Sequence, residues 1–245
     1  DEQFEVLKKA QAKVLDLTNW HEFTKTLVRA GFRSRSMITS ESTVLYAYVL
    51  YLLGRYDFGV DSHALRSIIA RWFFMSSLTG RYTDSPESQM ESDLARFRGA
   101  GTPGDFVSVL DGIIRDSLTE DYWAISLPNA LETSSARSPY LFAYYAALNL
   151  LDARVLFSEM RVAELLDPAI NPKKSAVERH HLFPKGYLKT IGVTDIRDTN
   201  QVANYALVQW DDNIHISSSA PSDYYPKYEQ RWAGDAAAWG VTLKH

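Results

Sequence analysis

The sequence predicts an α+β protein, mostly α: a helical domain over residues 1–172, then a small unit of mixed structure over residues 173–245. Three observations predict it. Apolar residues recur at helical spacing through the first two thirds of the chain. Residues able to cap a helix stand directly before first-turn prolines in several places. After Asp167-Pro168-Ala169-Ile170-Asn171-Pro172 the pattern becomes short and mixed, which makes this proline-bracketed segment the expected domain boundary.

Taken in order, Phe4, Leu7, Val14 and Leu17 mark a first helical stretch. Val44 to Leu53 is the longest apolar run and fits a buried helix; it falls well short of the roughly 18 residues that span a membrane. Asp61 can cap a helix whose inner face is Leu65, Ile68, Ile69, Trp72 and Phe73. Ser85-Pro86 opens a helix with Met90, Leu94 and Phe97 on one face, and Thr102-Pro103 opens one carrying Phe106, Val109, Leu110 and Ile113. Ser138-Pro139 begins a helix that is apolar nearly all round from Tyr140 to Leu151, as expected at the centre of the helical domain. Residues 31–40 and 118–137 read as loops. Past the boundary, 176–180 reads as a strand, 184–191 as a short helix stopping at Gly192, and Tyr205 to Trp210 as a second strand. Asp211-Asp212 reads as a turn, with a last helix beginning near Asn213 or after Pro221.

Composition narrows the function classes. The 245 residues are 46% hydrophobic and 23% charged, as in an ordinary globular protein. With no cysteine there is no disulfide and no cysteine-ligated zinc, which fits a reducing cytoplasm, the expected compartment. The formal net charge of −4 argues against a broad basic field, so any contact with nucleic acid must use local patches. The chain opens at Asp1 rather than Met, and the expectation is a domain taken from a longer protein.

The narrowest chemical signal lies at Glu178-Arg179-His180-His181-Leu182-Phe183-Pro184, followed by Asn204 and, nine positions later, Asn213. Hydrolysis of a phosphodiester requires a base for water, positive charge at phosphorus and neutralisation of the leaving oxygen. Histidine, with an ordinary pKa of about 6.5, suits the first task, and a divalent metal suits the others. Neighbouring residues on a regular strand point to opposite faces. At a strand end that runs into a loop both histidines can serve one site, and Leu182-Phe183-Pro184 supplies that break. One histidine can then ligate metal while the other faces water. The Asn213 amide oxygen is a hard ligand suited to Mg²⁺ or Mn²⁺.

These residues carry a resemblance. His180-His181-Leu182-Phe183-Pro184, with Asn204-Tyr205-Ala206-Leu207-Val208 and Asn213 ahead of Ala220-Pro221-Ser222, resembles the C-terminal HNH (His-Asn-His) nuclease domain of GmrSD-type restriction enzymes. Pro184-Lys185-Gly186-Tyr187-Leu188, Asn200-Gln201-Val202-Ala203-Asn204 and Asn213-Ile214-His215-Ile216-Ser217 are similar to the same group. The likeness is dense over 176–226 and looser over 60–100, where Arg71-Trp72-Phe73-Phe74 and Leu78-Thr79-Gly80-Arg81-Tyr82 take part. It implies a ββα-metal module over 173–245 and metal-dependent cleavage or nicking of DNA in an anti-phage or restriction system; phosphorothioate-sensing defence nucleases share the layout. It further implies His181 as general base, His180 and Asn213 as metal ligands, and Asn204 as the residue that ties the loop and orients the base. Relatives usually carry an N-terminal nucleotide-hydrolysing domain with an Asp-Gly-Gln-Gln-Arg-type motif. This chain has no such motif, so that domain is the expected partner besides DNA. Many HNH sites have Asp where His180 stands. Here both expected ligands are neutral, and Mg²⁺ binding is expected to need DNA phosphate to complete its shell.

Each residue has a plainer reading. His180 can be a core histidine bonded to backbone, and Asn204 and Asn213 turn formers or helix caps. Arg179, Lys185 and Lys189 are candidate phosphate contacts or ordinary surface charge. His215 is a candidate added ligand or DNA phosphate contact, with a structural or surface role the favoured reading. Asp211 and Asp212 read as a solvated turn rather than ligands. Two rival functions stay open: an inactive DNA-binding or sensor module, which would bind DNA and never cut it, and a regulatory module docking on the nucleotide-hydrolysing partner.

Overall fold

The computed structural model describes residues 2–133, 135, 137–167 and 178–243. It is mostly helical, with one two-stranded sheet among the described residues. The chain divides into two compact units, residues 1–32 with 38–122, and residues 33–37 with 123–245.

The first unit contains α1 (Glu2–Leu15), α2 (Leu17–Arg29), α3 (Glu41–Tyr56), α4 (Ser62–Thr79), α5 (Pro86–Ala95) and α6 (Pro103–Ser117). Helix α4 is its axis, packed by α2, α3 and α6. Asp61 caps α4 by accepting from the amides of His63 and Ala64, and the expected inner face is buried from Leu65 to Phe73. Thr102 and Asp105 close a reciprocal capping box on α6. Gly54 lets α3 come close to its neighbours, since a Cβ there would lie 2.5 Å from Leu65 Cδ1 and 2.9 Å from the Phe106 ring.

The expected first helical stretch is present, divided at Asp16 between α1 and α2, while the reading of α5 is corrected. Helix α1 buries none of its residues, and Phe4, Leu7 and Leu17 are all more than half exposed. Helix α5 ends at Ala95, before Phe97, and turns Met90 and Asp93 inward rather than Leu94. A carboxylate can sit there because it is fully partnered. Arg81 grips it with both prongs, Tyr82 Oη donates at 2.7 Å and Gln89 Nε2 at 3.1 Å. Burial, reinforced by the adjacent carboxylate, pushes the Tyr82 phenol far above its ordinary range.

The second unit opens within the stretch expected to be a loop, which instead holds a π-helical turn (Tyr122–Ser126) and α7 (Leu127–Leu131). The other expected loop contains a 3₁₀ turn at Arg35–Met37. Then come α8 (Pro139–Leu150), α9 (Val162–Leu165), β1 (Glu178–His181), α10 (Lys185–Thr190), α11 (Ile196–Thr199), β2 (Tyr205–Val208), α12 (Trp210–Ile216), α13 (Pro221–Arg231) and α14 (Ala236–Thr242). Pro168 to Pro172, the expected boundary, lie outside the described residues, as do Ala176 and Val177 of the expected first strand.

Helix α8 and the segment after it belong to this second unit, for a physical reason. The Leu156 amide donates to the Leu207 carbonyl at 2.9 Å, covering one edge of β2. Phe157 then enters a core with Val208, Ile216, Tyr224, Tyr228 and Trp239, stacked on Tyr228 at 4.3 Å between ring centroids. Strands β1 and β2 are antiparallel, with His180 opposite Ala206 and His181 opposite Tyr205. Asp211 and Asp212 are not a turn. They form the acidic first turn of α12, where the helix dipole favours them. Asp212 is buried and paired with Arg231 of α13 at 2.9 Å. No helix among the described residues is long and apolar enough to cross a membrane.

Candidate functional site

The β1–β2 hairpin and α12 bring the candidate residues together. Both histidines occupy the end of β1, and Leu182 still donates to the Asn204 carbonyl at 2.9 Å before the chain turns at Pro184. One open cleft of about 540 Å³ is lined by His180, His181, Lys185, Gly186, Asn213, Ser217 and Ser218, with Pro184 and Ile214. Gly186 sets one wall, because a Cβ there would fall 2.5 Å from Ser218 Cβ. Ser217 sets another with φ at +49°, a conformation that costs a side-chain-bearing residue energy and recurs at functional sites.

His180 is only 2% exposed. Its Nδ1 lies 2.8 Å from Asn213 Oδ1, while Nε2 is buried with no hydrogen-bond partner among the described residues. Burial pushes its pKa below the ordinary histidine value and holds the ring neutral; the Asn213 contact and Asp212 oppose this, and His181 adds to it. Its ring also meets the Tyr224 ring edge-on.

His181 is half-buried, packed edge-on against Tyr205, with Nε2 at 2.9 Å from Asn200 Oδ1. Asn204 does not line the cleft. Its Oδ1 accepts from the Phe183 amide at 2.8 Å, and its Nδ2 donates to the carbonyls of Phe183 and Thr199. It thus clamps the loop that follows the histidines, between β1 and the end of α11.

The candidate phosphate contacts separate. Lys185 is exposed at the cleft wall. Lys189 lies one turn further along α10, exposed and outside the lining. His215 is exposed on α12 with Nδ1 2.7 Å from the Asp211 carbonyl, a contact within its own helix. Arg179 stands in β1 opposite Leu207, and its side chain lies outside the described residues.

The donor set can be tested against a divalent cation. Two adjacent ligands on a shell of about 2.1 Å radius lie about 3.0 Å apart. His180 Nδ1 donates to Asn213 Oδ1 at 2.8 Å; with that proton moved to Nε2, the same spacing would suit two neighbouring positions of such a shell. Among the described residues, no group of three or more His, Cys, Asp or Glu side chains is placed to hold a metal. The pair fits an open shell with two neutral protein ligands, to be completed by water and phosphate oxygens.

Two further residues brace the site. Asn200 has no signal of its own within the Asn200–Asn204 motif, yet its amide reaches His181 from 19 positions away. Tyr224, which no sequence motif singles out, donates its hydroxyl to the Leu182 carbonyl at 2.6 Å, bracing the loop from α13. A separate apolar cavity of about 400 Å³ backs the hairpin, lined by Leu156, Leu182, Tyr205 and Tyr224 among others. Among the described residues its lining has no histidine, carboxylate or cation, and the candidate residues meet in the polar cleft instead. The chain matches no family model, no curated protein and no solved structure with which it was compared.

Proposed function

We propose that the second unit is an HNH-type endonuclease that nicks DNA with the help of Mg²⁺ or Mn²⁺, as part of a prokaryotic restriction or anti-phage system in the cytoplasm. The observation that carries this reading is the convergence of His180, His181 and Asn213 on one open cleft, with Asn204 clamping the loop between them. A packing role alone does not call for two adjacent histidines and an asparagine at one cleft wall.

In this reading His181 takes the proton from the attacking water. His180 and Asn213 are the residues that would hold the cation, which supplies positive charge at the phosphate and the leaving oxygen. Burial keeps His180 neutral, the state in which a ring nitrogen can ligate. Asn204 keeps the end of β1 from fraying, so the two rings hold a fixed spacing. Lys185 at the cleft wall would contact a backbone phosphate, adding affinity that falls with salt. One base and one cation site suit cutting one strand at a time. A nucleotide-hydrolysing domain is the proposed partner, and it would supply the wider DNA contacts that a chain of net charge −4 lacks.

The test is relaxation of supercoiled plasmid with Mg²⁺, with Mn²⁺ and with EDTA. Wild-type protein is expected to give open circles only with metal, and His181→Ala to lose roughly 10²- to 10⁴-fold in rate, the usual worth of a general base. Metal-dependent nicking that His181→Ala leaves unchanged would show the reading to be wrong.

A further inference from the structure

We propose that Asn200 is the positioning residue of His181, fixing which ring nitrogen faces the attacking water. The inference rests on the nuclease reading above and extends it to a residue outside the His-Asn-Asn set. The side-chain oxygen of Asn200 lies 2.9 Å from His181 Nε2. An amide oxygen only accepts, so Nε2 must donate to it. A neutral imidazole has a single N–H, so the lone pair belongs to Nδ1. The contact therefore sets both the tautomer and the rotation of the ring, the two things a general base must have right before a proton can move.

Asn200 is itself held. It caps the C-terminal end of α11, with its amide bonded to the Ile196 carbonyl at 3.0 Å. The preceding residue, Thr199, is buried and gives its carbonyl to Asn204 Nδ2 at 3.0 Å. Asn204 in turn grips both backbone groups of Phe183. The end of β1 is thus tied to the end of α11 twice, once through the loop by Asn204 and once through the base by Asn200. The Tyr205 ring also packs edge-on against the imidazole at 4.9 Å between centroids, so an aromatic contact joins the Asn200 bond in holding the ring.

The experiment pairs a spectroscopic readout with kinetics. ¹⁵N-edited NMR of the whole chain at neutral pH is expected to show His181 as a single Nε2–H tautomer with a solvent-protected proton. Asn200→Ala should expose that proton to fast exchange and lower kcat for plasmid nicking roughly 10- to 100-fold, the usual effect of losing a supporting hydrogen bond, with KM for DNA unchanged. Asn200→Asp keeps the acceptor, so it should retain the protected resonance and recover most of the rate. It also controls for misfolding of the alanine variant. An Nδ1–H tautomer in the wild type, or an alanine variant with wild-type kcat and a protected Nε2–H, overturns the assignment. A wild-type chain that shows the protected proton but cuts no plasmid overturns the nuclease reading, and with it any catalytic meaning of Asn200, while leaving the hydrogen bond itself established.

Discussion

Asp93 in the first unit and His180 in the second are almost equally buried, at 1% and 2% exposure, but their surroundings differ. Asp93 is saturated: Arg81, Tyr82 and Gln89 together occupy both oxygens. His180 has one partner, Asn213, and a second nitrogen with none among the described residues. A saturated buried network joins elements and offers nothing to a ligand. An unsaturated one at a cleft wall costs stability, and its bare Nε2 could take up the Nδ1 proton, which is what ligation through Nδ1 would require. The contrast separates a polar cluster that holds a fold from one that the proposed function would put to use.

That contrast can be broken by mutation. The largest effect expected is on activity alone: His181→Ala should cost up to about 10⁴-fold in nicking with an unchanged melting transition, because the ring is half-exposed at a strand end. Asp93→Ala should do the reverse. Removing the carboxylate strands Arg81 and Tyr82 in the interior and is expected to lower stability by about 3–5 kcal/mol, measurable by urea titration, with nicking per folded molecule retained. Asn204→Ala stands between them, since its amide serves three backbone groups. A loss of about 1–3 kcal/mol in stability should accompany a fall in rate, both read on one preparation. If Asn204→Ala changes stability and leaves the rate alone, the clamp is architectural only.

The smallest effect is a pH dependence. Burial lowers the His180 pKa below its ordinary 6.5, so the unfolded chain binds this proton more readily than the folded one. Its contribution favours the folded state above pH 6.5 and is lost progressively as pH falls below that value. Chemical denaturation between pH 8 and about pH 5 should show a shallower decline in His180→Gln than in wild type.

Much of the first unit was legible because its signals are local. Asp61 and the Thr102–Asp105 box are caps that act within one helical turn, and the α4 inner face is a simple period. The exceptions needed partners from elsewhere. Asp93 turns inward only because Arg81 arrives from beyond α4, and α8 joins the second unit because Phe157, a few residues after it, finds its aromatic partners on α13 and α14. In the cleft, the spacing of His180, His181 and Asn213 marked residues that do meet, although both histidines lie in register within β1 and the ladder runs on to Leu182 before the chain turns. Asp211–Asp212 misled because an acidic pair reads equally as a turn or as the first turn of a helix, and Arg231, which decides the matter, lies 19 positions on. Asn200 carried no local signal, since its role depends on the hairpin register that brings α11 to the end of β1.

The most direct test of the central claim is a Mn²⁺ titration of plasmid nicking by wild-type, Asn213→Ala and His181→Ala protein. The account predicts saturable metal dependence in wild type, a curve moved to higher metal by roughly 10-fold or more in Asn213→Ala, and in His181→Ala a depressed plateau reached at the wild-type metal concentration. Superimposable curves for wild type and Asn213→Ala, or nicking that persists in EDTA, would contradict it.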